Sequence, residues 1–151
     1  MLKLKIPPPI YTLLTATIMW WLNQHYPLKV LFEGNWTLMG YGFIAFGLLF
    51  DSTALVKFMQ NKTSINPIKP EKASQLVTSG LYRLTRNPMY FGLLLLLTGW
   101  GILLGSLAPL LMIPLFVWVI TSQQIKPEEA ILQQKFGQAY LDYKQQVRRW
   151  I

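Results

Sequence analysis

The chain alternates between long apolar runs and polar segments that are rich in proline, lysine and arginine. A helix that crosses the hydrocarbon core of a bilayer needs about 20 residues, at roughly 1.5 Å per residue. Four runs are candidates, at about 10–23, 36–58, 88–104 and 107–123. The first run is short, so we expect Trp20, Trp21 and Tyr26 to hold its end at the interface. The pattern predicts an all-α membrane protein with about four transmembrane helices in two hairpins.

Polar segments separate the two hairpins and follow the second one. Residues 59–87 are predicted to form a loop, with a short interfacial helix near 72–77, and the 105–109 link is predicted to be a tight turn. Residues 124–151 are predicted to form an amphipathic helical tail that Gly137 bends. One face of the tail is apolar, because large apolar residues recur there at spacings of three and four: Leu132, Phe136, Tyr140, Tyr143 and Val147.

Positive charge is concentrated before the first run, in residues 59–87 and after the fourth run. The remaining polar loop holds only Lys29, and Glu33 offsets its charge. By the positive-inside rule, both termini, the 59–87 loop and the tail are predicted to be cytoplasmic. The composition, with 52% hydrophobic and 13% charged residues, agrees with a membrane protein. The net charge of +8 then indicates a basic face against anionic lipid, and no nucleic-acid partner is predicted.

Cysteine is absent from the chain, and histidine occurs once, as His25. Disulfide and thiolate chemistry are therefore excluded. His25 is predicted to lie on the outer side, across the bilayer from the motifs described below. We therefore predict neither a metal site nor a histidine-based catalytic triad.

Two polar motifs open helices at the same predicted cytoplasmic interface. Arg86, Asn87, Pro88 and Tyr90 precede and begin the third apolar run, and the Pro-Glu-Glu motif at 127–129 follows the fourth. Each has a purely structural interpretation, because Asn and Pro start helices well and acids favour a first helical turn. Their shared location favours a binding site, since helix N-termini also offer unpaired N–H groups to polar ligands.

Two further features are polar or charged. Arg148 and Arg149 precede Trp150 at the end of the tail, where they could bind anionic lipid or take part in a site. Asp51 is an acid within the second apolar run, and such acids face a bundle interior or water. We keep Asp51 as a candidate outside the main site.

Two blocks together resemble the isoprenylcysteine carboxyl methyltransferase and phospholipid methyltransferase family of integral membrane enzymes, in its small bacterial form, and this resemblance implies a bacterial inner membrane. They are "LVTSGLYRLTRNPMYFG" at 76–92 and "EEAILQQKFGQAYLDYKQQVRRWI" at 128–151. One departure is Asn87, where eukaryotic prenylcysteine enzymes usually have histidine, whereas bacterial and phospholipid members commonly have Asn. The resemblance covers nearly the whole chain and leaves the acceptor open between an amine and a carboxylate.

The resemblance implies S-adenosylmethionine as methyl donor and a lipid-like or prenyl-like acceptor. The donor would bind between the third and fourth helices and the tail. The acids suit its ammonium, arginines or helix-start N–H groups its carboxylate, and aromatic rings its adenine or sulfonium, while Gly92 would let the adenine approach. The implied donor-binding residues are Tyr82, Arg86, Asn87, Pro88, Tyr90, Gly92, Glu128, Glu129, Phe136 and Tyr140; the implied catalytic residues are Glu129, Arg148 and Arg149.

Two other functions fit parts of the same sequence. One is an NADPH-dependent membrane reductase of the sterol reductase type, which resembles this family in its C-terminal part. The other is a non-enzymatic lipid-binding membrane protein, in which every motif would have its structural interpretation. Methyl transfer requires positioning and exclusion of water more than a metal or a nucleophilic side chain. The absence of cysteine and of a usable histidine is then expected.

Overall fold

The computed structural model describes residues 6–32, 34–60 and 75–151. These residues form helices and connecting segments and contain no strand beyond one isolated bridge between Val30 and Ser106, so the all-α prediction is confirmed. The elements are α1 (Pro8–His25), α2 (Thr37–Gln60), a 3-10 turn (Gly80–Arg83), α3 (Pro88–Leu104), α4 (Leu107–Leu110), α5 (Met112–Ile120), a π turn (Thr121–Ile125), α6 (Lys126–Phe136) and α7 (Gln138–Gln146).

Helix α3 begins and ends where the sequence predicts. Pro88 occupies the first turn, where its missing N–H costs nothing, and Gly105 ends the helix with a left-handed φ of 83°. Asn87 stands at the N-cap position, but its side chain makes no capping hydrogen bond. The turn after α3 is shorter than the predicted 105–109 link, because α4 already begins at Leu107.

The chain stays helical across residue 123, where the sequence prediction ends the fourth membrane helix and begins the tail. One apolar helical stretch runs from Leu107 to Phe136 over 30 residues. A proline inside a helix clashes with the carbonyl four residues earlier. Here the π turn lies just before Pro127, and the N–H of Lys126 bonds to the carbonyl of Thr121, five residues back. The wider turn lets the chain continue past the proline as a helix.

Two helices in the described ranges are long and apolar enough to cross a membrane, Thr37–Lys57 and Leu107–Phe136. Helix α3 is apolar but has only 17 residues, and α1 does not meet the same criterion. The four-span topology and the cytoplasmic placement of the termini therefore stay predictions. Most of the predicted interfacial helix at 72–77 lies outside the described residues, and its end at 75–77 is not helical.

Helices α2 and α3 pack closely and antiparallel through glycines. A Cβ atom built on Gly99 would lie 2.5 Å from the carbonyl oxygen of Gly40, and one on Gly47 would lie 2.8 Å from that of Gly92. Only residues without side chains allow backbones this near. On another side of α3, the indole N–H of Trp100 donates to the carbonyl of Ala16 in α1 at 3.1 Å.

Two apolar clusters hold the helices together. The core cluster joins α1, α3 and α5 through buried residues Met19, Tyr90, Leu97, Phe116, Ile120 and Ile125. The aromatic cluster lies beside the start of α3 and contains buried residues Ala54, Val77, Tyr82, Tyr140, Tyr143 and Val147, with Leu76, Met89, Leu132 and Phe136 against them. All five residues of the apolar face that the sequence indicates in the tail thus lie in the aromatic cluster. The chain bends at Gly137, which has a φ of 54° and separates α6 from α7.

Candidate functional site

Glu129 is the centre of a buried ion cluster. The Nη2 of Arg86 donates to its Oε1 at 2.9 Å, and Arg149 donates from Nε to Oε1 at 3.0 Å and from Nη2 to Oε2 at 2.7 Å. The side chains of Glu129 and Arg86 are only 8% and 7% exposed, whereas that of Arg149 is 32% exposed. Two guanidinium groups therefore share one carboxylate, and these three side chains carry one excess positive charge.

The two arginines converge because the segment at 147–151, here called the C-terminal strap, runs beside residues 85–87. The backbone N–H of Arg86 donates to the carbonyl of Arg148 at 3.0 Å. The hydroxyl of Thr85 and the side-chain amide of Asn87 both donate to the carbonyl of Arg149, at 3.1 and 2.9 Å. These bonds place the arginine just before α3 and the arginine in the strap against the same acid.

Glu128 lies beside this cluster with a different partner. It accepts a hydrogen bond from the hydroxyl of Tyr90 at 2.9 Å and is partly buried. Among the described residues, no lysine or arginine forms an ion pair with it. Its carboxyl group is therefore available to a cationic ligand.

One donor in the site has no acceptor. The Nε of Arg86 is buried without a hydrogen-bond partner, although the Nη1 of the same group donates to the carbonyl of Lys144 at 3.4 Å. A buried N–H without a partner costs free energy, on the order of 1–3 kcal/mol. An anionic ligand atom would satisfy this donor, so the residues present fit the carboxylate of an amino-acid-like ligand.

Tyrosines of the aromatic cluster border the charged groups. Burial raises the pKa of Tyr82, Tyr140 and Tyr143, and for Tyr140 the nearby carboxylate of Glu129 raises it further. All three are therefore neutral phenols at physiological pH. Tyr143 donates its hydroxyl proton to the carbonyl of Tyr82 at 2.7 Å, and Phe136 packs against the same cluster. This wall of the site is therefore aromatic and uncharged.

The structure does not support the predicted role of Gly92. A Cβ built there would meet the carbonyl oxygen of Gly47 at 2.9 Å and would overlap the carboxylate of Asp51. The glycine thus allows α2 to approach α3, and no room remains for an adenine on that side. Tyr90, two residues earlier, faces Glu128 instead. Asp51 therefore lies at the α2–α3 contact.

Two other predicted site residues form contacts that the sequence does not indicate. Arg148 uses its carbonyl to hold Arg86, but its own side chain is exposed, so only Arg149 of the pair belongs to the ion cluster. Asn87 is buried, and its amide N–H holds the strap. Its predicted contact with the donor stays a prediction.

Sequence reasoning missed two threonines. Thr85 is fully buried and bonds to a residue 64 positions away, and Thr121 accepts from the indole N–H of Trp150 at 3.3 Å. No local pattern signals such distant contacts. Thr121 also lines an open groove of about 540 Å³ on the apolar face of α5. The groove is lined by Ile113, Pro114, Val117, Trp118, Thr121, Ser122 and Lys126.

Comparison with known proteins gives consistent matches. The family model described as phospholipid methyltransferase matches residues 35–139. The chain is 36% identical to protein-S-isoprenylcysteine O-methyltransferase of Schizosaccharomyces pombe over 106 residues, which are 70% of this chain and 45% of that protein. It is 30% identical to protein-S-isoprenylcysteine O-methyltransferase B of Arabidopsis thaliana over 143 residues, covering 83% of this chain and 73% of the relative.

A shorter bacterial relative matches over its whole length. The chain is 46% identical over 63 residues, 42% of its own length, to an uncharacterized protein of Haemophilus influenzae. The chain spans less than half the length of the S. pombe relative and about three quarters of the A. thaliana one. No solved structure matches the chain.

Proposed function

The chain belongs to the phospholipid methyltransferase family, and from that premise we propose that it is an S-adenosylmethionine-dependent methyltransferase with a prenylated or lipid-like acceptor at the cytoplasmic membrane interface. The observation that carries the proposal is the convergence of Arg86 and Arg149 on Glu129, beside Glu128 and Tyr90. These residues come from the start of α3, the first turn of α6 and the C-terminal strap.

The charges at this site suit the amino-acid part of the donor. Glu128, which has no cationic partner within the described residues, would hold the ammonium. The unpaired Nε–H of Arg86 would hold the carboxylate. The neutral rings of Tyr82 and Tyr140 would lie against the sulfonium or the adenine. The donor supplies an already activated methyl group, so these residues need only bind and orient it.

Glu129 has a supporting role in this account. Both of its oxygens are held by guanidinium groups, so it is poorly placed to remove a proton. It fixes the orientation of Arg86 and Arg149 and keeps two positive charges in a buried site. Arg149 is the more exposed of the two arginines and is the group that we place against the acceptor.

We propose a carboxylate acceptor on a prenylated cysteine or a similar lipid-like molecule. The relatives from S. pombe and A. thaliana are named isoprenylcysteine O-methyltransferases, and their names describe transfer to oxygen. A carboxylate needs no general base before it attacks, and the planar guanidinium of Arg149 suits a carboxylate better than it suits an amine. The hydrocarbon part of the acceptor would remain in the bilayer while its carboxylate reaches the strap.

Titration of the purified protein with S-adenosylhomocysteine and, separately, with NADPH tests the proposed class of reaction. We expect saturable binding of S-adenosylhomocysteine and no binding of NADPH. Binding of NADPH alone would identify a reductase, and binding of neither compound would support a non-enzymatic lipid-binding protein. Glu128→Gln is the matched variant, because it keeps the shape of the side chain and removes the charge that we place against the donor's ammonium.

A further inference from the structure

Thr85 links the segment before α3 to the C-terminal strap and is none of the residues that we place against the donor or the acceptor. It is fully buried between Leu84 and Arg86, just before α3. Its Oγ1 accepts a hydrogen bond from the backbone N–H of Asn87 at 3.1 Å and donates one to the carbonyl of Arg149 at 3.1 Å. A hydroxyl has one proton, so the bond from Asn87 leaves that proton for Arg149.

The carbonyl of Arg149 is held from two sides. The Nδ2 of Asn87 donates to it at 2.9 Å, so both of its lone pairs are used. The bond between the Arg86 N–H and the Arg148 carbonyl, at 3.0 Å, holds the preceding peptide. An arginine side chain could reach Glu129 from many backbone positions. These three bonds fix one position of the Arg149 backbone. From that position, the Nε and Nη2 of Arg149 both donate to the carboxylate of Glu129.

We infer that Thr85 is a positioning residue for methyl transfer, which acts by fixing the backbone of Arg149 so that its guanidinium is oriented toward the acceptor. This inference rests on the proposed function. Displacing a reacting group by about 1 Å can lower a rate by about 100-fold, so one buried hydroxyl distant from the reacting atoms can affect turnover strongly. Thr85 needs no contact with either substrate.

Thr85→Val and Thr85→Ser form the matched pair of variants. Valine has nearly the shape of threonine but loses both hydrogen bonds, whereas serine retains both. We expect Thr85→Val to lower kcat about tenfold while S-adenosylhomocysteine affinity stays within about twofold, and Thr85→Ser to stay near parental turnover. Hydrogen exchange of the peptide that contains residues 147–151 should be faster in the valine variant, because the strap has lost a bond.

Combining Thr85→Val with Arg149→Lys tests whether Thr85 acts through Arg149. If it does, the valine substitution should change turnover by less than about twofold once Arg149 is already altered. Independent, multiplicative losses would overturn the inference, and so would parental turnover in Thr85→Val. Asn87→Asp removes the other donor to the same carbonyl and should reproduce the loss, which keeps the test valid if the valine variant does not fold. Failure of the parental protein to bind S-adenosylhomocysteine would instead reject the proposed function.

Discussion

Two neighbouring acids at the site have different partners and, we expect, different roles. Glu129 is surrounded by two guanidinium groups, while Glu128 accepts only the hydroxyl of Tyr90 among the contacts described. Neighbouring residues on a helix point about 100° apart, so two consecutive acids do not face the same group. The sequence indicates the pair, but it could not assign these roles, because the assignment depends on Arg149, which is 20 residues away.

We predict that Glu128→Gln weakens S-adenosylhomocysteine binding by about 10- to 150-fold, since a charge-assisted contact contributes about 1.5–3 kcal/mol. Its stability should stay near that of the parental protein. Glu129→Gln should instead lower the free energy of unfolding by about 3–5 kcal/mol, because it removes the shared anion of two arginines in a largely buried cluster. Ligand titration and denaturant unfolding in detergent measure the two effects. The reverse pattern would exchange the roles of the two acids.

The two arginines of the strap should also differ. Arg149 forms a two-point contact with Glu129 that the single ammonium of lysine cannot reproduce, whereas the side chain of Arg148 is exposed. We predict that Arg149→Lys lowers turnover at least about tenfold, on the order of 1.4 kcal/mol, and that Arg148→Lys stays near parental turnover. Near-parental turnover in both variants would indicate that the strap contributes mainly its positive charge, because lysine retains that charge.

At the level of elements, the sequence predicts what local chemistry determines. Asn87 and Pro88 mark the start of α3, and Gly105 marks its end, because these residues favour particular backbone angles wherever they occur. The strap beside residues 85–87 depends on contacts between distant segments, which no local pattern signals. Gly92 shows the same limit: its sequence context suggests ligand approach, but packing against Gly47 determines its role.

The close contact of α2 with α3 gives a prediction at this scale. Gly92→Ala would place a methyl group against the carbonyl of Gly47 and the carboxylate of Asp51, so the helices must separate. We expect a loss of about 1–3 kcal/mol in stability, as for overpacked cores. Gly42→Ala is the control, because a Cβ there has no neighbour within 4 Å. Thermal unfolding in detergent compares them, and equal stability of the two variants would contradict this packing.

For the molecule as a whole, the proposed reaction requires the ion cluster to face the cytoplasm. The chain has no cysteine, so single introduced cysteines give unambiguous labelling. We predict that Gln138→Cys, at an exposed position of α7, is shielded from an impermeant thiol reagent in intact cells. Asn35→Cys, also at an exposed position, should react. Permeabilised cells supply the control, because both variants should then react. Labelling of Gln138→Cys in intact cells would reverse the predicted orientation.

Transfer of a labelled methyl group tests the central claim most directly. Purified protein would be incubated with S-adenosylmethionine carrying a labelled methyl group and with an S-prenylated cysteine that has a free carboxylate, its methyl ester, or phosphatidylethanolamine. The account predicts label only in the free carboxylate, in a form that base releases as methanol, and at least about tenfold less label with Arg149→Lys. Base-stable label in phosphatidylethanolamine, or no label in any acceptor while S-adenosylhomocysteine binds, would contradict it.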